Sequence, residues 1–464
     1  MDKKIYQSPL VTRYCDEKMV YNFSDEHRLI TWRRVWVALA EAERALGLPV
    51  SKAQIAQLKR FQSRINYDKI AQYEKLTKHE VVGHIKAYGE QCPKAKPIIH
   101  LGATSALVTD NADLIIYKQA IDFIRQQLKD LIRELSRFAL RYKDMPTCGY
   151  THLQPALLTT VGKRACLWLQ DLVMDYQDLV HMQKGLKFLG AKGAIGTQAS
   201  FLALFNGNAN KVQQLDKLLA RKLGFNDTFI IASQTYTRKQ DYQVLAVLSG
   251  LAQSAHKFST DLRLLQSFGE MEEPFSKDQV GSSAMAYKRN PVHSERITAL
   301  SRYLISLLSN AEFTHASQWL ERSLDDSANR RLTMPESFLT ANAILNLYIY
   351  IVKGMSVNPS GIQKRINQEL PFMVTEDILM AAVKAGGDRQ QLHKSIRDHS
   401  MAAVARIRRG EDNDLIDRIR NDPAFLKITH RLDALTKPER HTGLSARQVE
   451  MFTKEANRII NSKH

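Results

Sequence analysis

The chain has 464 residues, of which 44% are hydrophobic and 25% are charged, and its formal net charge at pH 7 is +18. Its length allows two or three domains with a large core, and its composition excludes a disordered or fibrous protein. Four widely spaced cysteines without a Cys-x-x-Cys pair argue against a disulfide framework or a zinc site. The positive charge suits either nucleic acid or an acidic small molecule, and composition does not decide between them.

Helical periodicity dominates the chain. Apolar residues recur at helical spacing from Ser24 to a stop at Gly47, and Ser51-Lys52-Ala53-Gln54 forms a capping box that predicts the next helix. Pro335 is predicted to begin another helix farther on. Three much longer helices are predicted over residues 110–138, about 155–188 and 239–270. Such lengths without strand alternation predict an all-α elongated bundle, and its broad apolar stripes favour contact with other subunits.

Residues 77–84 contain two histidines in a pattern close to that of a zinc protease. His79 and His84 are five residues apart, so on a helix they point about 140° away from each other. The zinc motif requires a spacing of four residues. The sequence therefore predicts no metal site here.

Two features bear on where the protein resides. The most apolar run, residues 344–352, is too short to cross a bilayer. The first residues, Met1-Asp2-Lys3-Lys4, lack the apolar stretch of a secretory leader. With the cysteine pattern, these features predict a cytoplasmic protein without a membrane partner.

Residues 281–291, Gly-Ser-Ser-Ala-Met-Ala-Tyr-Lys-Arg-Asn-Pro, connect two long helical patterns. Pro274 ends the first pattern and Val292 begins the second. A connection of this length is either a disordered tether or a functional loop, and its hydroxyl, ammonium and amide groups favour a functional loop. A solvated turn with incidental serines is the alternative that these residues leave open.

This loop resembles the signature of the fumarase/aspartase superfamily of lyases, Gly-Ser-Ser-x-Met-Pro-x-Lys-x-Asn. The chain departs from it at Ala286, where the family usually has proline. Residues 287–291 are similar to the adenylosuccinate lyase branch that includes the animal enzymes, and the resemblance extends from about Ser8 to Phe452. The matching positions are Gly281, Ser282, Ser283, Met285, Lys288 and Asn290.

The resemblance implies a three-domain, all-α fumarase/aspartase-like fold with a long central bundle. Residues 1–105 would form an N-terminal helical domain, residues 106–357 the central bundle with the signature loop, and residues 358–464 a small C-terminal helical domain. The resemblance also implies a homotetramer in which each active site draws on three subunits.

The implied reaction eliminates fumarate from adenylosuccinate to give AMP, and from the succinyl-carboxamide ribotide SAICAR to give AICAR, in purine biosynthesis. Such an elimination needs a base for a carbon-bound proton, an acid for the leaving nitrogen, and cations for the carboxylates and the phosphate. By motif match, Ser282 is the base and His152 the acid, and Lys288 and Asn290 stabilise the developing negative charge. A serine hydroxyl is a weak base, so backbone amides and the Lys288 charge are expected to lower its pKa.

His79 is assigned to both the catalytic and the substrate-binding set. Thr104 and Ser105 are expected to hold the succinyl carboxylates. At residues 78–80 the family more often has Arg-His-Asp, and the lysine here lacks the bidentate fork of arginine. The substrate-binding residues implied by the resemblance are Arg13, Tyr14, Lys78, His79, Glu80, Thr104, Ser105, Gln234, Arg296, Arg322, Ser327 and Arg331. No metal or organic cofactor is expected.

Two other functions remain open to the sequence. One is another fumarate-releasing lyase of the superfamily, such as argininosuccinate lyase, which would differ in the purine and phosphate contacts. The other is a basic, helical nucleic-acid-binding protein. That protein would bind in a strongly salt-dependent manner and would turn over no substrate, whereas the resemblance implies small-molecule substrates and no nucleic acid.

Overall fold

A computed structural model of the chain describes residues 4–462. Met1, Asp2 and Lys3, on which the prediction of no secretory leader rests in part, lie outside the described residues. A short helical turn, Leu10–Tyr14, precedes the N-terminal helices. These are α1 (Glu17–Asn22), α2 (Asp25–Ala45), α3 (Lys52–Phe61), α4 (Tyr67–Thr77) and α5 (Glu80–Gln91), and another turn, Lys96–Ile98, follows them.

The predicted starts of α2 and α3 are confirmed. The Ser24 hydroxyl accepts a hydrogen bond from the His27 N–H at 3.2 Å. The Ser51 hydroxyl likewise accepts from the Gln54 N–H at 3.2 Å, and the Gln54 side chain accepts from the Ser51 N–H at 2.8 Å. These bonds satisfy amides that the first helical turn leaves without partners.

The long helices are also confirmed, with shifted ends. The central part of the chain contains α6 (Ser105–Arg141), β1 (Pro146–Thr151), β2 (Gln154–Thr160), α7 (Val161–Gly185), α8 (Ala199–Leu204), α9 (Ala209–Lys222), α10 (Lys239–Ser267), β3 (Met271–Glu272), α11 (Val292–Ala316) and α12 (Asp325–Gly354). The prediction that a helix begins at Pro335 was wrong, because α12 begins at Asp325 and contains this proline.

Sequence reasoning missed the hairpin of β1 and β2, which it treated as a loop between helices. The two strands pair antiparallel, with a register shift between Cys148 and Tyr150. Gly149 lies at this shift, where a Cβ atom would approach the Leu157 carbonyl oxygen to 2.9 Å. The strands are too short and irregular for an alternating pattern to be evident in the sequence.

The C-terminal part is made of shorter helices. Strand β4 (Ser356–Val357) pairs antiparallel with β3. It is followed by α13 (Pro359–Met373), α14 (Thr375–Lys384), α15 (Arg389–Ile407), α16 (Leu415–Asn421), the turn Pro423–Ile428, α17 (Thr429–Leu435), the turn Pro438–His441 and α18 (Ser445–Asn461). The all-α fold class is therefore confirmed, with only small strand pairs in the described part.

The chain divides into two compact units. The first comprises residues up to Gln127 together with Asp175–Gln253 and Ala299–Asn346. The second comprises Leu128–Met174, Ser254–Thr298 and the chain from Leu347 onward. The boundaries predicted near residues 105 and 357 lie at the start of α6 and the end of β4, and the three-domain division remains a prediction.

Each unit has its own aromatic core. In the first unit Trp32 and Trp36 of α2 are each only 1% exposed. In the second unit Phe258 stacks on Tyr348, with ring centroids 4.0 Å apart, and Trp168 meets Phe258 edge-on. Among residues 4–462, every helix is too short or too polar to span a membrane.

Candidate active site

A cavity of about 840 Å³ opens in the first unit. Its walls come from α2, from the starts of α5, α6 and α12, and from the loops that precede α10 and α12. Many of the predicted substrate-binding residues line it, namely Lys78, His79, Glu80, Thr104, Ser105, Gln234, Arg322, Ser327 and Arg331. The structure thus brings together residues that are far apart in the sequence.

Local backbone structure places the side chains of residues 78–80. Lys78 ends α4 with a left-handed backbone, φ 54°, and so turns the chain sharply. His79 then caps α5, and its Nδ1 accepts the Val82 N–H at 3.4 Å. Its Nε2 lies 3.4 Å from the Ser105 hydroxyl at the start of α6. His79 therefore precedes α5, whereas His84 is buried within it and accepts a hydrogen bond from Arg33.

Glu80 joins two arginines at the cavity. Its carboxylate lies 2.6 Å from Arg28 and also pairs with Arg331. Burial opposes ionisation of Glu80, but the charges and hydrogen bonds of Arg28 and Arg331 outweigh it and hold the pKa of Glu80 below its usual value. Arg331, predicted to bind phosphate, is thus held by a carboxylate that a phosphate would have to replace.

A buried ion-pair network forms one wall of the cavity. Arg238 bridges Asp110 and Asp326, at 2.9 Å and 2.6 Å respectively. Arg330 pairs with Asp113 at 3.1 Å, and also with Asp241 at 2.6 Å. Because buried charges require partners, these ion pairs fix the position of the wall that carries the predicted substrate-binding residues.

Burial shifts the pKa values of two side chains that line the cavity, His100 and Asp113. His100 accepts a hydrogen bond from the Trp36 indole at 2.9 Å, and burial, together with the charge of His79, lowers the pKa of His100 to about 4. Burial raises the pKa of Asp113 to about 6; the Arg330 charge opposes this rise and the Asp110 and Asp241 charges reinforce it. At neutral pH His100 is therefore an uncharged group.

The signature loop belongs to the second unit and folds around Ser282. The Ser282 Oγ accepts hydrogen bonds from the backbone N–H groups of Ala284, at 3.3 Å, and Met285, at 3.2 Å. The Asn290 side chain donates to the Gly281 carbonyl oxygen at 2.8 Å. A Cβ atom at position 281 would lie 1.9 Å from the Lys288 carbonyl oxygen, so only glycine fits where the loop crosses itself.

His152 lies at the exposed tip of the β1–β2 hairpin, also in the second unit. His152 and Leu153 both have positive φ, 54° and 59°. A two-residue hairpin turn requires this backbone, which glycine or asparagine adopts more readily. The hairpin turn thus imposes this conformation on His152, and its role as the acid remains a prediction.

The remaining predicted residues lie outside the cavity lining. Arg13 and Tyr14 belong to the turn Leu10–Tyr14 of the first unit, with the guanidinium 5.9 Å from the tyrosine ring centroid. Arg296 belongs to the part of α11 in the second unit. The cavity lining consists of first-unit residues, whereas Ser282, Lys288, Asn290, His152 and Arg296 are residues of the second unit.

Several residues that shape the cavity were missed by sequence reasoning. Neither Arg28 nor Arg330 was singled out by the sequence analysis. Asp110 and Asp113, three residues apart near the start of a long helix, were a usable signal, because a one-turn spacing of acids beside a small-residue turn can receive buried arginines. Nothing in the sequence near Arg238 indicated its two aspartate partners.

Comparisons with known proteins show which proteins this chain is similar to. A family model described as "Lyase" matches residues 25–305, and one described as "Adenylosuccinate lyase C-terminus" matches residues 371–452. Adenylosuccinate lyase of Saccharomyces cerevisiae is 47% identical over 98% of this chain and 95% of its own length. That of Schistosoma mansoni is 43% identical over 96% and 94%, respectively.

A solved structure shares the fold. The 3-carboxy-cis,cis-muconate lactonizing enzyme from Pseudomonas putida superposes with a TM-score of 0.84 at 24% sequence identity. The match covers 97% of this chain and 99% of that enzyme. At this identity the likeness establishes the architecture of the chain and leaves its reaction to other observations.

Proposed function

This chain belongs to the adenylosuccinate lyase family of the fumarase/aspartase superfamily, and on that premise we propose how its residues carry out the elimination. It is a carbon–nitrogen lyase of purine biosynthesis. Its proposed substrates are adenylosuccinate, which it splits into AMP and fumarate, and SAICAR, which it splits into AICAR and fumarate. The family relationship favours these substrates over argininosuccinate.

The observation that carries the proposed mechanism is the pair of backbone amides that donate to the Ser282 Oγ. Hydrogen bonds to an oxygen stabilise its anionic form, so this arrangement favours loss of the Ser282 hydroxyl proton and formation of the alkoxide that acts as the base. We assign to Ser282 the removal of the proton from the succinyl carbon next to the carbon that carries nitrogen. The electrons of that C–H bond then form the double bond of fumarate.

The nitrogen that leaves takes the electrons of the broken C–N bond and requires a proton. We assign this proton to His152, since an imidazole ring can carry and donate a proton and the hairpin tip that bears it is exposed. Lys288 and Asn290 would bind the succinyl carboxylate on which charge accumulates when the proton leaves. An interaction that strengthens in this way raises turnover rather than ground-state affinity.

The cavity of the first unit is assigned to binding. Its volume, about 840 Å³, is within the range of small-molecule sites and accommodates a nucleotide. The hydroxyls of Thr104 and Ser105 suit carboxylates, and Lys78, Arg322 and Arg331 suit the phosphate. His79 would orient the substrate through Nε2, which faces the Ser105 hydroxyl.

We further propose a cytoplasmic homotetramer in which neighbouring subunits complete each site, with Arg13, Tyr14 and Arg296 among the binding residues. Large apolar side chains remain exposed in the single chain, among them Ile230, Trp319 and Leu320 at 75% or more. Surface of this kind is typical of protein interfaces. All four cysteines are unpaired, which suits a reducing compartment.

An ultraviolet assay tests the proposed reaction. Purified protein mixed with adenylosuccinate should produce equal amounts of AMP and fumarate, and SAICAR should be cleaved as well. Argininosuccinate is the comparison substrate and should remain intact. Cleavage of argininosuccinate alone would assign the chain to another lyase, and salt-sensitive binding of nucleic acid without any turnover would contradict the enzymatic function.

A further inference from the structure

Two buried glutamates lie in the segment between the end of α10 and the signature loop. Glu270 is 1% exposed and Glu273 is 4% exposed, whereas Glu272 between them is partly exposed and pairs with Arg289 at 3.3 Å. Burying a carboxylate is costly unless hydrogen-bond donors surround it. The partners of Glu270 and Glu273 therefore show what this segment holds.

Glu270 holds the hairpin that carries His152. Its carboxylate accepts hydrogen bonds from the Tyr150 hydroxyl and, at 3.3 Å, from the Thr147 hydroxyl, and both donors are on β1. Arg164 of α7 pairs with the same carboxylate at 3.4 Å and also donates to the Cys148 carbonyl oxygen. Burial and the neighbouring Glu270 raise the pKa of Tyr150, so its hydroxyl remains a donor. Tyr150 is only two residues from His152.

Glu273 joins the two ends of the segment that contains the signature loop. One carboxylate oxygen accepts from the His293 N–H at 3.0 Å and lies 2.9 Å from its Nδ1. The other accepts from the Ser294 N–H at 2.9 Å and from the Ser294 hydroxyl at 2.8 Å. These donors are in the first turn of α11, where the helix dipole also favours a negative charge. Residues 274–292, with Ser282 among them, thus form a loop whose two ends are joined.

We propose that Glu270 and Glu273 are positioning residues, which hold the acid-bearing hairpin and the base-bearing loop, respectively, from one four-residue segment. This inference rests on the proposed function, since it takes His152 as the acid and Ser282 as the base. Both glutamates act through other residues and touch no reacting atom. The physical reason is that proton transfer requires placement to within about 0.5 Å, and exposed loop tips obtain such precision from buried anchors.

Matched substitutions test the proposal. Glu270→Gln and Glu273→Gln keep the size of each side chain but replace one acceptor oxygen with an amide that faces donors. Each should lower kcat by about tenfold to a hundredfold with KM changed less than about threefold. Glu272→Gln, in the same segment but in an exposed ion pair, is the control and should change kcat less than about twofold.

Double-mutant cycles separate positioning from a general structural role. If Glu270 acts through His152, then Glu270→Gln should cost less than about threefold when added to His152→Ala. Glu273→Gln should likewise cost little when added to Ser282→Ala. Fully additive losses in both cycles would overturn the proposal. If Glu270→Gln fails to fold, Tyr150→Phe removes only one hydrogen bond to Glu270 and should show the same coupling to His152.

The same cycles distinguish this proposal from the assignment of acid and base. Near-normal turnover of His152→Ala would refute His152 as the acid and, with it, the role of Glu270, while the cycle of Glu273 and Ser282 would still be decisive for the loop. Impaired turnover of His152→Ala together with additive losses would refute the positioning role alone.

Discussion

The cavity of the first unit and the two loops of the second unit are held in place by different means. In the cavity wall, Arg238 and Arg330 are buried among aspartates, so the charges that shape the site are themselves its support. In the second unit Ser282 and His152 are on turns, and the buried carboxylates lie at Glu270 and Glu273. Changes in the loops should therefore affect turnover, and changes in the cavity should affect binding and stability.

The largest effect is expected at the base. Ser282→Ala removes the oxygen that accepts the two backbone amides and should lower kcat by about two to four orders of magnitude, with KM largely kept. Steady-state kinetics on adenylosuccinate measures this loss. Ser283→Ala is the control and should cost less, and near-normal turnover of Ser282→Ala would remove this serine from the mechanism.

Arg331 is the cavity residue at which we expect the largest loss of substrate binding. Its guanidinium pairs with Glu80, and we expect it to exchange that partner for the phosphate of the substrate. Arg331→Ala should lower kcat/KM for adenylosuccinate by about tenfold to a hundredfold, but much less for succinyladenosine, which lacks the phosphate. Arg125→Ala, which removes an exposed ion pair on α6, is the control. Equal losses on both substrates would show that Arg331 does not meet the phosphate.

Asp113, which lines the cavity, should make the free energy of unfolding depend on pH. Burial raises its pKa to about 6 against an unfolded value near 3.9, so between these values the folded chain binds a proton that the unfolded chain does not. This contribution to stability is full below about pH 4 and is lost as the pH rises through about 6. Asp113→Asn should remove a pH-dependent difference of about 1 to 3 kcal/mol, measured by urea unfolding at pH 4.5 and pH 7.

The exposed Asp122 on the same helix provides the control, as Asp122→Asn. The stability of the Asp122→Asn variant should change with pH as that of the unsubstituted chain does between pH 4.5 and pH 7. Parallel stability curves for Asp113→Asn and the unsubstituted chain would exclude Asp113 as the titrating group.

The smallest effect is expected at Ala286, where the family usually has proline. In the described chain the Ala286 N–H donates no hydrogen bond that a proline would remove. Ala286→Pro should therefore keep turnover within about threefold and restrict the unfolded loop. A circular dichroism melt shows whether the variant folds. Unfolding or complete loss of activity would mean that the backbone at this position is incompatible with proline.

Local sequence patterns were sufficient to predict many of the helices and the signature loop. The capping box at Ser51 and the long helices follow from side chains within a few residues of one another, because capping and periodicity are local properties. The signature loop was found for the same reason, since its Gly281-Ser282-Ser283 and Lys288-x-Asn290 elements are contiguous. Its assignment to a family came from resemblance, which the comparisons support.

The helical architecture, the loop and the residue types that an elimination requires could all be predicted from the order of the amino acids. The pairing of the charges is visible only in the folded chain, where Arg238 contacts Asp110 and Asp326, Arg28 contacts Glu80, and Glu270 contacts the hairpin of His152. These partners are between 52 and 128 residues apart in the sequence, and isolated arginines and glutamates are ordinary on any helix surface. Their roles arise from burial, which makes the pairing of each charge obligatory, and burial is a property of the folded chain.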